Sequence, residues 1–247
     1  MMRILFALLM LLCVVPAKAQ QVPLVADLSN HLVAITTGFS GTDVLLFGAT
    51  DGPGDIVVVV RGPARDEVVR RKSRFGPIWA NADSVTFRAA PTYYRVASSR
   101  PLDEFASETL LARQQIGLEN IRLLNTDEIL PADQVTAFRE ALVRLKADES
   151  LYEQGLSDIT LMSNRLFRTA LHFPANVPTG TYTVEVYLFR EGQITAAEIV
   201  PLTISKIGVG ADIYDFAHGP FAFFYGLLAV LLAGAAGWTA GAVFRRV

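Results

Sequence analysis

The chain has 247 residues, with 22 Lys and Arg against 24 Asp and Glu, a formal net charge of −2 and an isoelectric point near 5.9. So even a balance excludes the basic whole-chain footprint of a nucleic-acid-binding protein. The single cysteine, Cys13, lies in an apolar N-terminal run; with that run removed, disulfides, thiolate catalysis and Cys-ligated zinc, haem or iron–sulfur centres are excluded too.

In chain order, the first element is a targeting segment. Arg3 gives a short positive region, Ile4 to Val15 an apolar stretch, and Ala17-Lys18-Ala19 the small-x-small pattern of a cleavage site. Residues 1–19 are therefore expected to be a signal peptide, with Gln20 as the mature N-terminus; an uncleaved anchor is the rival reading. Leu11 and Leu12 precede Cys13, which does not suit a lipidation site.

Residues 20–101 read as the first part of an exported β domain. Val22 to Leu28, His31 to Phe39, Val44 to Ala49 and Ile56 to Arg61 are rich in aliphatic and β-branched residues, and glycines and Pro53 punctuate them. Val57-Val58-Val59-Val60 does not alternate, as expected of a central strand buried on both faces. Val85 to Arg88 and Tyr93 to Ala97 continue the pattern.

Residues 102–154 change character and predict two inserted helices around a linker at 117–130. Leu102 to Ile116 contains no Gly or Pro, with Asp103 as N-cap. Pro131 starts the second helix, whose apolar stripe is Val135, Phe138, Leu142 and Leu145, with Glu140 and Arg144 as a supporting pair and Gly155 as the stop. Residues 155–205 return to strands. Thr181 to Phe189 is the clearest, with Tyr182, Val184, Val186 and Leu188 on one face, and Glu191-Gly192 turns it into Ile194 to Ser205. The approach through Pro174 to Gly180, with a tyrosine at the corner, is similar to the penultimate strand of immunoglobulin-like sandwiches. The expected architecture is mainly β, an immunoglobulin-like sandwich with an inserted helical pair; two separate small β domains is the alternative.

A connector at 206–218 leads to a transmembrane helix at 219–244. Phe221 to Phe244 is 24 residues without a charge, roughly 36 Å as a helix against a hydrocarbon core of about 30 Å. Arg245 and Arg246 follow it, and Asp212 and Asp215 precede it. Basic residues favour the cytoplasm, so the expected topology is a single pass through a bacterial inner membrane. The N-terminal domain would be periplasmic and residues 245–247 a cytoplasmic tail. Phe221, Phe223, Phe224 and Tyr225 at one end, and Trp238 toward the other, fit the aromatic belts of a bilayer.

Chemistry is sparse along this chain. His31, His172 and His218 are far apart in sequence, without metal-ligand spacing, and read as structural or surface residues. Gly38-Phe39-Ser40-Gly41 is not G-x-S-x-G and reads as a hairpin turn. Gly208-Val209-Gly210 lacks the dinucleotide fingerprint, and Asp51 to Asp55 reads as a solvated turn rather than a calcium loop. The densest charge is Arg61, Arg65, Arg70, Arg71, Lys72 and Arg74, opposed only by Asp66 and Glu67. Such a cluster suits a small anion or anionic lipid headgroups; the plain alternative is a charged edge strand and loop. In the span, Ala233, Gly237 and Gly241 put small residues on one face, where another helix can approach.

Val25-Ala26-Asp27-Leu28-Ser29, Leu45 to Ala49, Gly54 to Pro63, Val96 to Leu102, Pro174 to Arg190, Ala236-Gly237-Trp238 and Phe244-Arg245-Arg246 together resemble a family of single-span transmembrane proteins of alphaproteobacteria, of uncharacterised function. The resemblance implies an exported domain with a C-terminal span and no particular activity. Proteins of this kind are also encoded near a permease similar to sulfite and organosulfonate exporters, which is an association and not a mechanism. The expected function is a membrane-anchored periplasmic interaction module, accessory to a transport or envelope complex. The partners are the bilayer and another membrane protein, or a second copy; no cofactor is expected. A small-anion-binding module using 61–74 is the alternative, and a hydrolase using scattered carboxylates a third reading without support from spacing.

Overall fold

The computed structural model describes residues 23–125, 131–207 and 222–244. The expected signal peptide, most of the connector, His218, the Gly208-Val209-Gly210 segment and the terminal arginines lie outside them. The described chain is mostly β, with three α-helices, the last of them apolar.

Strands from before and after the helical insertion interleave in two sheets. The first sheet runs β1 (Leu24–Leu28), β3 (Gly41–Thr50), β11 (Leu166–Pro174), β10 (Thr160–Met162), all antiparallel. The second runs β2 (Leu32–Ile35), β13 (Gln193–Lys206), β12 (Gly180–Arg190), β4 (Asp55–Arg61), β7 (Tyr94–Ser98), β9 (Tyr152–Asp158). Its two outermost pairings, β2 with β13 and β7 with β9, are parallel. Alternation sends Leu24, Leu28, Val44, Leu46, Phe167 and Leu171 inward from the first sheet. Ile56, Val58, Val60, Tyr182, Val184 and Val186 come inward from the second, and all join one buried cluster. Tyr93, Phe173 and Tyr182 add an aromatic knot with centroids 5.2–5.7 Å apart.

Val57 and Val59 face the other way and are equally buried, because α1 (Glu108–Gln114) and the segment after it cover that side with Leu111, Ile116 and Ile121. The uninterrupted valine run is thus a central strand covered on both faces, as its lack of alternation implied.

Beyond the second sheet the β4–β7 ladder continues. The Gly62 N–H donates to the Tyr93 carbonyl at 2.8 Å and the Thr92 N–H to that of Pro63 at 3.0 Å, carrying the pairing into β5 (Ala64–Phe75) and β6 (Ile78–Pro91). The four strands form one long hairpin whose outer half makes a third sheet with the short β8 (Leu124–Asn125). Helix α2 (Ala132–Asp148) packs on this outer half. Val69, Val85, Phe87 and Ala90 meet Phe138 and Leu142 in a second small core, and Lys146 pairs with Glu67 at 2.6 Å.

Several expectations from sequence are corrected. Leu102 to Ile116 is not one helix: Leu102–Glu104 is a 3₁₀ turn containing Asp103, and the α-helix starts after Ser107. Phe105 between them is held edge-on against Phe189, with centroids 5.3 Å apart. Helix α2 ends at Asp148 and not near Gly155, because Ser150 takes a left-handed conformation (φ 60°) and Tyr152 then pairs with Tyr94; Gly155 lies inside β9. The Gly38–Gly41 segment is no hairpin turn. It carries the chain from β2 in the second sheet to β3 in the first, and Gly41 (φ 109°) sits where a Cβ would stand 3.0 Å from the Phe173 carbonyl oxygen.

The last helix, α3 (Ala222–Phe244), contains an apolar stretch of 19 residues, Phe223–Gly241, long enough to cross a bilayer.

Candidate functional site

A cleft of about 370 Å³ lies on the outer face of the second sheet, where β4 and β12 meet α1. Register puts Arg61, Glu185 and Tyr187 on that face as neighbours. Arg61 and Glu185 form an ion pair whose side chains are mostly buried, and the Tyr187 hydroxyl donates to the same carboxylate at 2.6 Å. The other Arg61 nitrogen donates to the carbonyls of Gln114 at 2.8 Å and Gln115 at 3.1 Å. Helix α1 ends there because Gln115 is left-handed (φ 54°), which exposes carbonyls that the helix itself cannot satisfy. Tyr94 completes the arrangement, donating to the Gln115 carbonyl at 2.8 Å and accepting from the Gly117 N–H at 2.9 Å.

Electrostatically the floor of the cleft is closed. Burial alone would lower the Arg61 pKa, but the hydrogen bond and charge of Glu185 outweigh it and the pKa is raised. Burial pushes the Tyr187 hydroxyl up to about 12, with the Glu185 carboxylate adding to the rise. The Arg61 guanidinium is already occupied by one carboxylate and two carbonyls. Exposed Arg113 and Arg122 stand on the rim, and among the described residues neither is paired with a carboxylate. Neither belongs to the charge run, and only the fold brings them beside it.

The other five members of the run are spread along β5. Arg65 donates to the Thr179 carbonyl at 3.1 Å. Arg71 pairs with Asp83 and lies 5.8 Å from the Phe138 ring centroid. Arg74 donates to the Gly76 carbonyl at 2.9 Å. Arg70 and Lys72 are exposed and meet no carboxylate among the described residues. The segment is an edge strand, paired only with β6, so the six residues form no single pocket.

The remaining candidates are structural in geometry. His31 Nε2 lies 3.1 Å from Asp27 and His172 Nδ1 2.7 Å from Asp43, on exposed surface. Asp51 pairs with Arg190, and Asp55 with Arg100 at 2.7 Å, so the turn between them is tied to β12 and to the segment after β7. Among the described residues no group of three or more His, Cys, Asp or Glu is placed to hold a metal. Ala233, Gly237 and Gly241 recur every four residues along α3 and so share one face.

A second surface went unread in the sequence. The outer face of the first sheet carries Val25, Leu45, Phe47, Met162 and Leu166, each at least 40% exposed, around a shallow groove of about 390 Å³ with almost no polar lining. Strict alternation along β1 and β3 would signal it, but Val25, Leu45 and Phe47 fall among apolar neighbours, so the sequence pattern does not tell them from inward-facing residues.

No curated protein matches the chain in sequence. The family described as "Putative transmembrane protein (Alph_Pro_TM)" matches residues 23–246, from the first strand through the apolar helix, and the chain belongs to that family.

Proposed function

We propose that the protein is a non-catalytic, membrane-anchored interaction module of the periplasm, accessory to a transport or envelope complex. The observation that carries this reading is the apolar outer face of the first sheet. A sheet that already buries one face in the core has no folding reason to show Val25, Leu45, Phe47, Met162 and Leu166 to water on the other. The strand order supports an immunoglobulin-like wiring: β1-β3-β11-β10 faces β2-β13-β12-β4, and Tyr182 at the start of β12 donates to the Pro178 carbonyl at 2.6 Å. The small-residue face of α3 offers a second contact, inside the bilayer. Arg245 and Arg246 beyond it favour a cytoplasmic C-terminus and hence an exported body.

Purification of the full chain in mild detergent tests the reading. A stoichiometric membrane protein should co-purify, and Phe47→Asp should release it while the body keeps its fold. Recovery of monomer alone counts against the proposal; recovery of a second copy makes the chain its own partner.

A small-anion module is a second reading, favoured by Arg113 and Arg122 on the rim of the cleft. Millimolar sulfate, sulfite, phosphate or organic acid should then raise the melting temperature of the detergent-solubilised chain, and Arg113→Gln with Arg122→Gln should abolish the rise. No shift with any of these ligands sinks it.

A further inference from the structure

We infer that the tip of the β5–β6 hairpin rests on the headgroup layer of the bilayer that holds α3, as a second, peripheral membrane contact of the body. The inference rests on α3 being a membrane span. Three observations converge on it.

The first is direction. Arg61 of β4 is level with Thr183 of β12, which is level with Pro201 of β13. Strands β4 and β13 both run antiparallel to β12, so they run the same way. From that level β4 continues into the hairpin and β13 continues toward α3. Pro63 lies against Gly180, whose partner in β13 is Ile204. The hairpin and the chain bound for the membrane thus leave the body at the same end.

The second is reach. Strand β5 has 12 residues, about 40 Å at about 3.3 Å each. The 14 residues from 208 to 221 span at most about 50 Å. The tether is long enough for the hairpin to stand between body and bilayer, and too short to lift its tip far away.

The third is chemistry at the tip. Glu67, Val69 and Arg71 point toward α2, so Arg70, Lys72 and Arg74 point away from it. Trp79 stands directly opposite Arg74 and shares their face, 67% exposed. Ile78, on the other face beyond the reach of the small core, is 63% exposed. The turn is Gly76-Pro77, with Gly76 at φ 62°. A tryptophan and an isoleucine at the end of a strand pair, backed by three cations that meet no carboxylate among the described residues, is the composition that binds an anionic membrane surface.

The chain has two tryptophans, Trp79 at the tip and Trp238 in α3, which makes the test direct. Full-length protein is reconstituted into vesicles of phosphatidylethanolamine and phosphatidylglycerol containing brominated acyl chains. In a Trp238→Phe background Trp79 should lose much of its emission to the bromines and shift to the blue. Replacing Arg70, Lys72 and Arg74 by Glu should restore the emission, and neutral phosphatidylcholine vesicles should quench it less. In a Trp79→Phe background Trp238 should be quenched in every case. Solvent-like, unquenched Trp79 beside quenched Trp238 overturns the hairpin contact while leaving the anchor intact. Unquenched Trp238 overturns the anchor itself. Quenching of Trp79 that ignores both the charge reversal and the lipid charge overturns the role of the basic face.

Discussion

At the scale of single residues, the contact most exposed to test is Glu185. It receives Arg61 and the Tyr187 hydroxyl in a largely dry corner of the second sheet. Removing it alone leaves a cation with less than its full set of partners. Glu185→Ala should therefore destabilise the body by about 2 kcal/mol in chemical denaturation. Replacing both members with apolar residues, Arg61→Met with Glu185→Leu, should cost less than the single change, because no unpaired charge remains. A larger loss in the double variant would show that the two carbonyl bonds of Arg61 matter more than its salt bridge. The tyrosines set a second prediction. Burial raises the pKa of Tyr93, Tyr94, Tyr152 and Tyr182, and that of Tyr187 to about 12, from an ordinary value of 10.0. A raised folded-state value means the unfolded chain loses the proton first. The stability from these groups is complete below pH 10 and falls as pH rises toward 12 and beyond. Denaturation midpoints measured from pH 8 to 11.5 should be flat at first and then decline; a flat profile throughout would mean these hydroxyls are wet.

At the scale of elements, the long hairpin is two structures in series. Its inner half, β4 and β7, is buried on both sides, and its outer half leans on α2 through Phe138 and Leu142, with the short β8 paired to its edge. Phe138→Ala removes one of the two phenylalanines of that small core, a loss of about 3–4 kcal/mol for a buried aromatic. The damage should stay local, because the main core shares few residues with it. In hydrogen exchange, amides of Val69, Val85 and Phe87 should lose protection while those of Val184, Val186 and Leu188 keep theirs. Equal loss in both sets would mean that the hairpin and the sandwich unfold as one unit. The edge position of β5 also explains its cations: on an edge paired on one side only, Arg70, Lys72 and Arg74 discourage addition of another strand. That role is compatible with a surface contact, since both need the charges facing out.

At the scale of the whole molecule, the body and the apolar helix are joined by a short stretch of chain. Full-length protein should stay in the membrane pellet after alkaline carbonate, and a chain ended after Ile207 should leave it. Release of the full chain would mean that Phe223–Gly241 does not span. In a spheroplast, added protease should digest the body of the intact protein; full protection would place it on the cytoplasmic side.

What could be read from residues alone was whatever depends on local pattern. The span, the Thr181–Phe189 strand with its turn at Glu191-Gly192, and the doubly buried valines all declare themselves, because alternation and uncharged length are properties of adjacent residues. The tertiary structure alone decided where the helices stop, since Ser150 and Gln115 leave the helical region to satisfy contacts made by distant strands. It also decided that Arg61 is spent on Glu185, 124 positions away, that Arg113 and Arg122 come to the same cleft, and that Trp79 shares a face with Arg74. Charge counts locate basic residues along a chain, but which of them stay free depends on partners that only folding supplies.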